Sequence, residues 1–356
     1  MAKLAFLITD MGDGGAERVT ASLVNGAVRS GHEVDLLLMK AVGENIPLLN
    51  ARVRVNDLNA RRIRSVVRPL TRYLRRERPD ALQVSMWPLT IAAIVAAKLA
   101  RTGTRVVIAE HSTLTEQYPG SRFLRWSVRA LYHLADWRIA VSRGSADNLA
   151  SLSAAPVETI YNPIAPILAG PRVEEAWPES KYRILSAGSL KEQKNQLLLV
   201  KAMKLLDQRM DASLVIIGQG DMRALLEECI ESLRLQHRVR LPGYIVDPSP
   251  YFRSADLFVL SSDYEGFGNV IVEAMSVGLP VVSTDCPYGP AEILRHGEFG
   301  TLVPRRNPAA LADAIALALR SNADPERQRR RAAEFNEDVA LSQYLYAMLS
   351  GKRQES

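Results

Sequence analysis

Glu265 and Glu273 stand with seven residues between them, and those residues decide what the pair can do. Gly266, Phe267, Gly268 and Asn269 follow the first acid, then an apolar run leads to the second. The preceding Asp256 to Ser262 is short and apolar and reads as a buried parallel strand. Asn269 is a candidate N-cap for a helix over Val270 to Val277, ended by Gly278 and Pro280. A helix N-terminus presents unpaired N–H groups and a partial positive charge, so it favours a phosphate. Gly266 and Gly268 let backbone approach that phosphate with no Cβ in the way. Glu273 falls one turn inside the helix, roughly 5–6 Å from the phosphate end, the size of a pyrophosphate-to-ribose step. Its carboxylate can accept two vicinal hydroxyls. Glu265, at the strand end, faces whatever is attached beyond the phosphate. The pattern suits a phosphorylated, hydroxyl-rich ligand.

Strands alternate with helices along the whole chain, which predicts parallel, doubly wound α/β sheets. Lys3 to Thr9 reads as a strand, followed by a glycine loop and a helix from Ala16 to Ser30. Asp35 to Met39, Ala81 to Ser85, Arg105 to Ala109 and Trp137 to Ser142 are further strands, and Arg61 to Arg78 a helix that Pro69 kinks or restarts. From Ile164 to Lys181 the rhythm fails, and Pro166, Pro171 and Pro178 mark a linker. Strands then resume at Arg183, Ser213, Arg238, Asp256, Pro280 and Gly300. The expected division is 1–164, a linker 165–182, 183–333, and a tail 334–356 with apolar residues at helical spacing.

At 356 residues and 47% hydrophobic content the chain can bury two cores. Its net charge of +6 admits nucleic acid, an anionic membrane or a phosphorylated substrate as partner. Two cysteines, Cys229 and Cys286, form no disulfide framework or zinc pattern and read as free thiols in a reducing compartment. The N-terminus reads as a first strand rather than a signal peptide, and the longest near-apolar run, Trp87 to Ala97, is too short to span a bilayer. A cytoplasmic protein is expected, with peripheral contact at the inner membrane face left open.

The string from Glu265 to Glu273, extended by Pro280 to Thr284 and Gly289 to Ile293, resembles the Glu-x7-Glu motif of retaining family-4 glycosyltransferases of the GT-B fold. Gly14 to Arg18 and Gly188 to Gln196 fall where that family places its other loops. The resemblance implies two Rossmann-like domains facing each other across a cleft. It implies a nucleotide-diphosphate sugar (UDP or GDP) as donor, no other cofactor and no metal. Lys194 matches a lysine that holds the diphosphate, whereas Ser189 occupies the position of a partner arginine. Glu273 matches the ribose-binding acid and Glu265 an acid on the sugar. Backbone of Gly266, Phe267, Gly268 and Asn269 is implied to hold phosphate and sugar. Gly14 and Gly15 are placed near the donor, and Gly243 and Tyr244 near the base. His111 matches a histidine on the donor sugar. Glu265, His111 and Lys194 are thus the candidate catalytic residues.

The implied reaction is retaining transfer to a saccharide or lipid-linked acceptor during polysaccharide assembly. A non-catalytic nucleotide-sugar-binding subunit and a sugar-nucleotide epimerase are the alternatives. A basic face bearing Arg64, Arg68 and Arg72 is a candidate surface for membrane or acceptor. Nucleic acid is not expected, because no recognition motif accompanies these arginines.

Overall fold

The computed structural model describes residues 1–12 and 14–350. Asp13, in the first glycine loop, and the end of the tail, 351–356, lie outside the described residues. The chain divides into two units, Met1–Pro163 together with the tail from Glu337, and Ile164–Asn336.

In the first unit the elements run β1 (Lys3–Ile8), α1 (Gly15–Arg29), β2 (Glu33–Leu38), β3 (Arg54–Asp57), α2 (Ile63–Glu77), β4 (Ala81–Ser85) and α3 (Leu89–Ala100). They continue with β5 (Arg105–Glu110), α4 (Leu114–Gln117), α5 (Arg122–Leu131), β6 (Trp137–Ala140), α6 (Arg143–Ser153) and β7 (Glu158–Thr159). The seven strands are parallel in the order β3-β2-β1-β4-β5-β6-β7. Both faces of the sheet are covered. Leu4, Phe6 and Ile8 pack with α1 on one side, and Ala5 and Leu7 pack with α2, α3 and α5 on the other. Alternation along β1 therefore serves two cores at once, which is why the strand is apolar throughout.

The second unit comprises β8 (Tyr182–Ala187), α7 (Gln196–Leu206), β9 (Ala212–Ile217), α8 (Arg223–Ser232), β10 (Val239–Gly243), α9 (Ser249–Ser254) and β11 (Leu257–Leu260). After these come α10 (Asn269–Ser276), β12 (Val281–Thr284), α11 (Pro290–Ile293), β13 (Thr301–Val303), α12 (Pro308–Arg320) and α13 (Pro325–Ala332). Its six strands are parallel in the order β10-β9-β8-β11-β12-β13. The proline-rich stretch before β8 carries no regular structure but is fastened to this unit. Val173 N–H donates to Ser254 Oγ (2.7 Å), Arg253 donates to the Leu168 and Pro171 carbonyls (both 2.8 Å), and Trp177 is buried. The tail forms α14 (Glu337–Leu349), whose Ala340, Leu341, Tyr344, Ala347 and Met348 enter the α1 side of the first unit's core.

Three local expectations are corrected. Pro69 does not divide α2, which runs unbroken from Ile63 to Glu77. Asn269 is the first helical residue of α10 rather than its N-cap, a place taken by Gly268 at φ 103°. Two strands went unread. In β3 the sequence Arg-Val-Asn-Asp has no apolar run, and it is held as an edge by Arg54, whose guanidinium donates to both oxygens of the buried Asp35 (2.6 and 2.8 Å). β7 is two residues long.

Candidate functional site

Most of the residues singled out above sit at or just past the carboxyl ends of parallel strands, where backbone N–H groups and loops are free to meet a ligand. In the second unit β8 ends at Ala187, and Gly188 (φ 149°) turns the chain into the loop that carries Lys194. The glycines at the β8 and β9 ends are forced by contact. A Cβ on Gly218 would lie 2.0 Å from the Gly188 carbonyl oxygen, and one on Gly220 2.4 Å from that of Leu190. The two strand-end loops thus interlock backbone against backbone.

Lys194 Nζ lies 2.6 Å from Glu265 Oε1, an ion pair joining the β8 and β11 loops. Ser262 Oγ donates to the same oxygen at 2.6 Å. The Glu265 carboxylate is nearly sealed from solvent, whereas Lys194 keeps a fifth of its side-chain surface exposed (6% and 20%). The Glu265 backbone is fixed as well: its N–H donates to the Pro287 carbonyl (2.7 Å), and its own carbonyl accepts from Tyr288 N–H (3.0 Å). Gly289 beneath this turn admits no side chain, because a Cβ would meet the Phe267 carbonyl at 2.0 Å. The neighbouring thiol of Cys286 is buried, and burial together with the Glu265 charge pushes it up to about 12. It stays protonated and inert at neutral pH.

Asp263, two residues before Glu265, has its own cations. Arg306 pairs with its carboxylate (3.0 Å) and Arg305 donates to its carbonyl (2.8 Å). The two acids of Asp-Tyr-Glu therefore each face a basic side chain. Among the described residues no cluster of three or more His, Cys, Asp or Glu is arranged to hold a metal ion.

Gly266, Phe267 and Gly268 are buried and lead into α10, while Asn269 and Glu273 lie half-buried on its first two turns. Ser189, in the place of the expected arginine, is half-buried, and its carbonyl accepts from Gln196 Nε2 (3.2 Å). Lys191 lines a pocket of 560 Å³ with Glu192, Asn195, Met222, Asp263 and Arg306. At the β10 end Gly243 (φ 92°) accepts from Gly218 N–H (2.9 Å), and Tyr244 follows half-buried.

In the first unit Gly14 caps α1 and Gly15 begins it. The loop before them is braced by a segment that sequence reasoning missed. Met11 N–H donates to the Val42 carbonyl (2.9 Å), Asn45 donates to Gly12 O, and a Cβ on Gly43 would strike the Met11 carbonyl. The one available signal was Gly43, whose φ of 130° excludes other residues. His111 follows β5. Its Nε2 lies 3.3 Å from Ser85 Oγ, which accepts from Gln83 Nε2 (3.0 Å). Burial pushes the imidazole down to about 4, against the raising effect of Asn162, so it is neutral at pH 7.

Glu110, beside His111, points the other way into the core and is 1% exposed. It accepts from Tyr132 Oη and from Trp87 N–H (3.1 Å). Burial pushes its carboxyl up to about 7 despite these donors. Arg64, Arg68 and Arg72 lie exposed on the outer face of α2, in no contact with His111 or Gly14.

Comparison with known proteins identifies this arrangement. The model of the glycosyl transferases group 1 matches residues 171–335, and that of Glycosyltransferase Family 4 matches residues 13–166. A Campylobacter jejuni N-acetylgalactosamine-N,N'-diacetylbacillosaminyl-diphospho-undecaprenol 4-alpha-N-acetylgalactosaminyltransferase is 29% identical over 90% of both chains. The amylovoran biosynthesis glycosyltransferase AmsD of Erwinia amylovora is 26% identical over 83% of this chain and 84% of its own. Among solved structures, Anabaena HepE in complex with UDP and glucose superposes with a TM-score of 0.82 at 21% identity, over 99% of this chain and 100% of its own. The fold is GT-B.

Proposed function

The chain belongs to the glycosyl transferases group 1, family 4, and from that premise we propose that it moves a hexose-type sugar, with retention of configuration, from a nucleotide-diphosphate sugar to a saccharide or lipid-linked acceptor. The observation that carries this reading is the Lys194–Glu265 ion pair at the junction of two glycine-shaped strand ends. A departing diphosphate gathers negative charge as the glycosidic bond breaks. An ammonium held beside it by a buried carboxylate is pre-aimed at that charge and needs no reorganisation during the reaction. Glu265 then has two tasks, fixing Lys194 and accepting sugar hydroxyls, while Glu273 accepts the ribose hydroxyls from α10. The N–H groups from Gly266 to Asn269 meet phosphate and sugar, and Gly243 and Tyr244 border the base. Gly14, Gly15 and neutral His111 are the polar groups that the first unit brings to sugar and acceptor. His111 donates a hydrogen bond and does not act as a base.

Three further facts support the reading. HepE, of the same fold, is described with UDP and glucose bound. The Campylobacter relative is named for a diphospho-undecaprenol acceptor, and AmsD for amylovoran biosynthesis. No helix among the described residues is long and apolar enough to cross a membrane. The pairing of Asp263 and Glu265 with cations supports a reaction without a metal.

The test is a panel of UDP- and GDP-sugars with and without EDTA, following release of nucleoside diphosphate by wild type and Glu273→Ala. Release from one donor, insensitive to EDTA and lost in the variant, is expected. One specific observation favours a second reading, a nucleotide-sugar-binding subunit: Ser189 stands where the family has an arginine. Tight donor binding by calorimetry without release, in the presence of lipid-linked acceptors, would establish that alternative.

A further inference from the structure

We propose that Arg331 is a positioning residue for the donor: from α13 it holds in place the turn at 266–268, whose backbone N–H groups meet phosphate and sugar. The inference rests on the reading of those groups as donor contacts. It adds a side chain outside the motif, one that the sequence did not single out.

Helix α13 carries four arginines, and three of them reach water. Arg331 is the exception: 9% of its side-chain surface is exposed, against 74% for Arg330 beside it. A cation leaves water only where its donors are met. Nε donates to the Ile293 carbonyl (2.8 Å), Nη2 to the Glu292 carbonyl (2.7 Å) and Nη1 to the Glu334 carboxylate. The two carbonyls lie at the C-terminal end of α11, where such groups point out of the helix. The guanidinium carbon also lies 4.7 Å from the centre of the Phe335 ring and 5.7 Å from that of Phe299. A planar fork that meets two adjacent carbonyls and rests on aromatic rings is arginine chemistry, which a lysine ammonium does not reproduce.

Two paths lead from this guanidinium to the turn. The first runs through Phe335, whose ring meets that of Phe267 edge-on (5.4 Å), both residues being buried. The second runs through α11. Arg331 grips the end of this single helical turn, and its start is Gly289, which abuts the Phe267 carbonyl closely enough to exclude a Cβ. The Ile293 side chain borders Gly268, where a Cβ would lie 3.7 Å from Ile293 Cδ1. Phe267 is thus held both by its ring and by its carbonyl. The same helix also grips the far end of α10. Arg329 donates to the Val277 carbonyl (3.2 Å), and a Cβ on Gly278 would lie 2.7 Å from Pro325 Cβ. α13 therefore ties together the elements on both flanks of the turn. A turn with two glycines has wide backbone freedom, and donors stabilise developing charge well only when their aim is fixed beforehand. The motif supplies the N–H groups, and Arg331 supplies the constraint on where they point.

The experiment compares wild type, Arg331→Lys, Arg331→Met, Phe335→Leu and Arg330→Gln by two readouts. The first is amide hydrogen exchange of the full chain without ligand, read on residues 261–276 and, as an internal reference, on 212–217 in β9. The second is steady-state release of nucleoside diphosphate from UDP- and GDP-sugars, with donor KM and kcat separated. Both Arg331 variants and Phe335→Leu are expected to exchange about tenfold faster at 261–276, with 212–217 unchanged. They should raise the donor KM about tenfold, the scale of one hydrogen bond to a charged ligand, and lower kcat as well. Arg330→Gln should match wild type in both readouts. A merely structural Arg331 would lower the folded fraction, which reduces apparent kcat, leaves KM alone and speeds exchange throughout. That result overturns the proposal, as does an Arg331→Lys protein with wild-type exchange at 261–276. Should neither Arg331 variant fold, Phe335→Leu decides by the same criteria. The two readouts keep the readings apart. Faster exchange at 261–276, in a protein whose wild type releases nothing from any donor, sinks the transferase and leaves Arg331 as the brace of the turn. Wild-type turnover with donor KM unmoved in the variants sinks the positioning role alone.

Discussion

Two buried carboxylates end parallel strands in this molecule, one in each unit, and their surroundings differ in kind. Glu265 follows β11 and stands 2.6 Å from an ammonium, with a serine hydroxyl on the same oxygen. Glu110 ends β5 and meets neutral donors, the Tyr132 and Thr90 hydroxyls and a backbone N–H. A cation compensates a buried negative charge far better than dipoles do, so burial without one drives Glu110 up to about 7. The first is poised to act on a charged ligand. The second braces a loop, since it grips Trp87 at the end of β4. An acid at a strand end is thus no indicator of function until its partner is known.

The largest effect that would test this contrast is loss of the ammonium. Lys194→Ala is expected to lower kcat about 10³-fold and also to lower Tm, because it strands the Glu265 carboxylate in a buried place. A variant that kept full turnover would remove the ion pair from the mechanism. Glu265→Gln preserves shape and the Ser262 contact, so it should reduce kcat by roughly 10²-fold with little change in thermal unfolding. Equal losses of Tm in both variants would mean that the pair is structural.

Glu110→Gln should behave in the opposite way. The folded pKa of Glu110 lies above the unfolded value of 4.5, so ionisation opposes folding. That penalty is absent below pH 4.5, grows as pH rises to 7, and is complete above it. Gln can donate to Tyr132 Oη, which turns its proton to Thr90, 2.7 Å away, while still accepting from Trp87 N–H. Urea unfolding of the variant and wild type at pH 5 and pH 8 should therefore show a relative gain at the higher pH, on the order of 3 kcal/mol. No pH-dependent difference would place Glu110 in water rather than in the core.

The smallest effect concerns His111. Its pKa is pushed below the ordinary 6.5 to about 4, so the imidazole is neutral over the assay range and the folded state loses stability only as pH falls from 6.5 toward 4. His111→Ala should cost about tenfold in kcat/KM, comparable to one hydrogen bond to substrate. Both proteins should show the same pH–rate profile from 5.5 to 8, and a limb near 6.5 that disappears in the variant would assign His111 a proton-transfer role instead.

How much of this was legible beforehand varies from residue to residue. The apolar strands were readable because a buried parallel strand must be apolar on both faces, and Lys3–Ile8 or Ala212–Ile217 has no other use for its composition. Glu265, Glu273 and the glycines between them were readable because few residue types serve a strand–turn–helix site. β3 was not readable, since its stability comes from Arg54 reaching a buried Asp35 nineteen residues earlier, and no local pattern encodes that pair. The same holds for Pro287, Tyr288 and Gly43, which support the site through contacts between loops distant in sequence.

The sequence by itself determined the alternation of strands and helices, the family, and the types of side chain at the strand ends, because periodicity, turn chemistry and motif spacing are local properties. Tertiary structure alone decided that Lys194 and Glu265 form one unit, that Glu110 is a brace and that His111 is neutral. Those outcomes depend on which groups are brought together and how far water is excluded, and both are set by contacts between residues tens of positions apart.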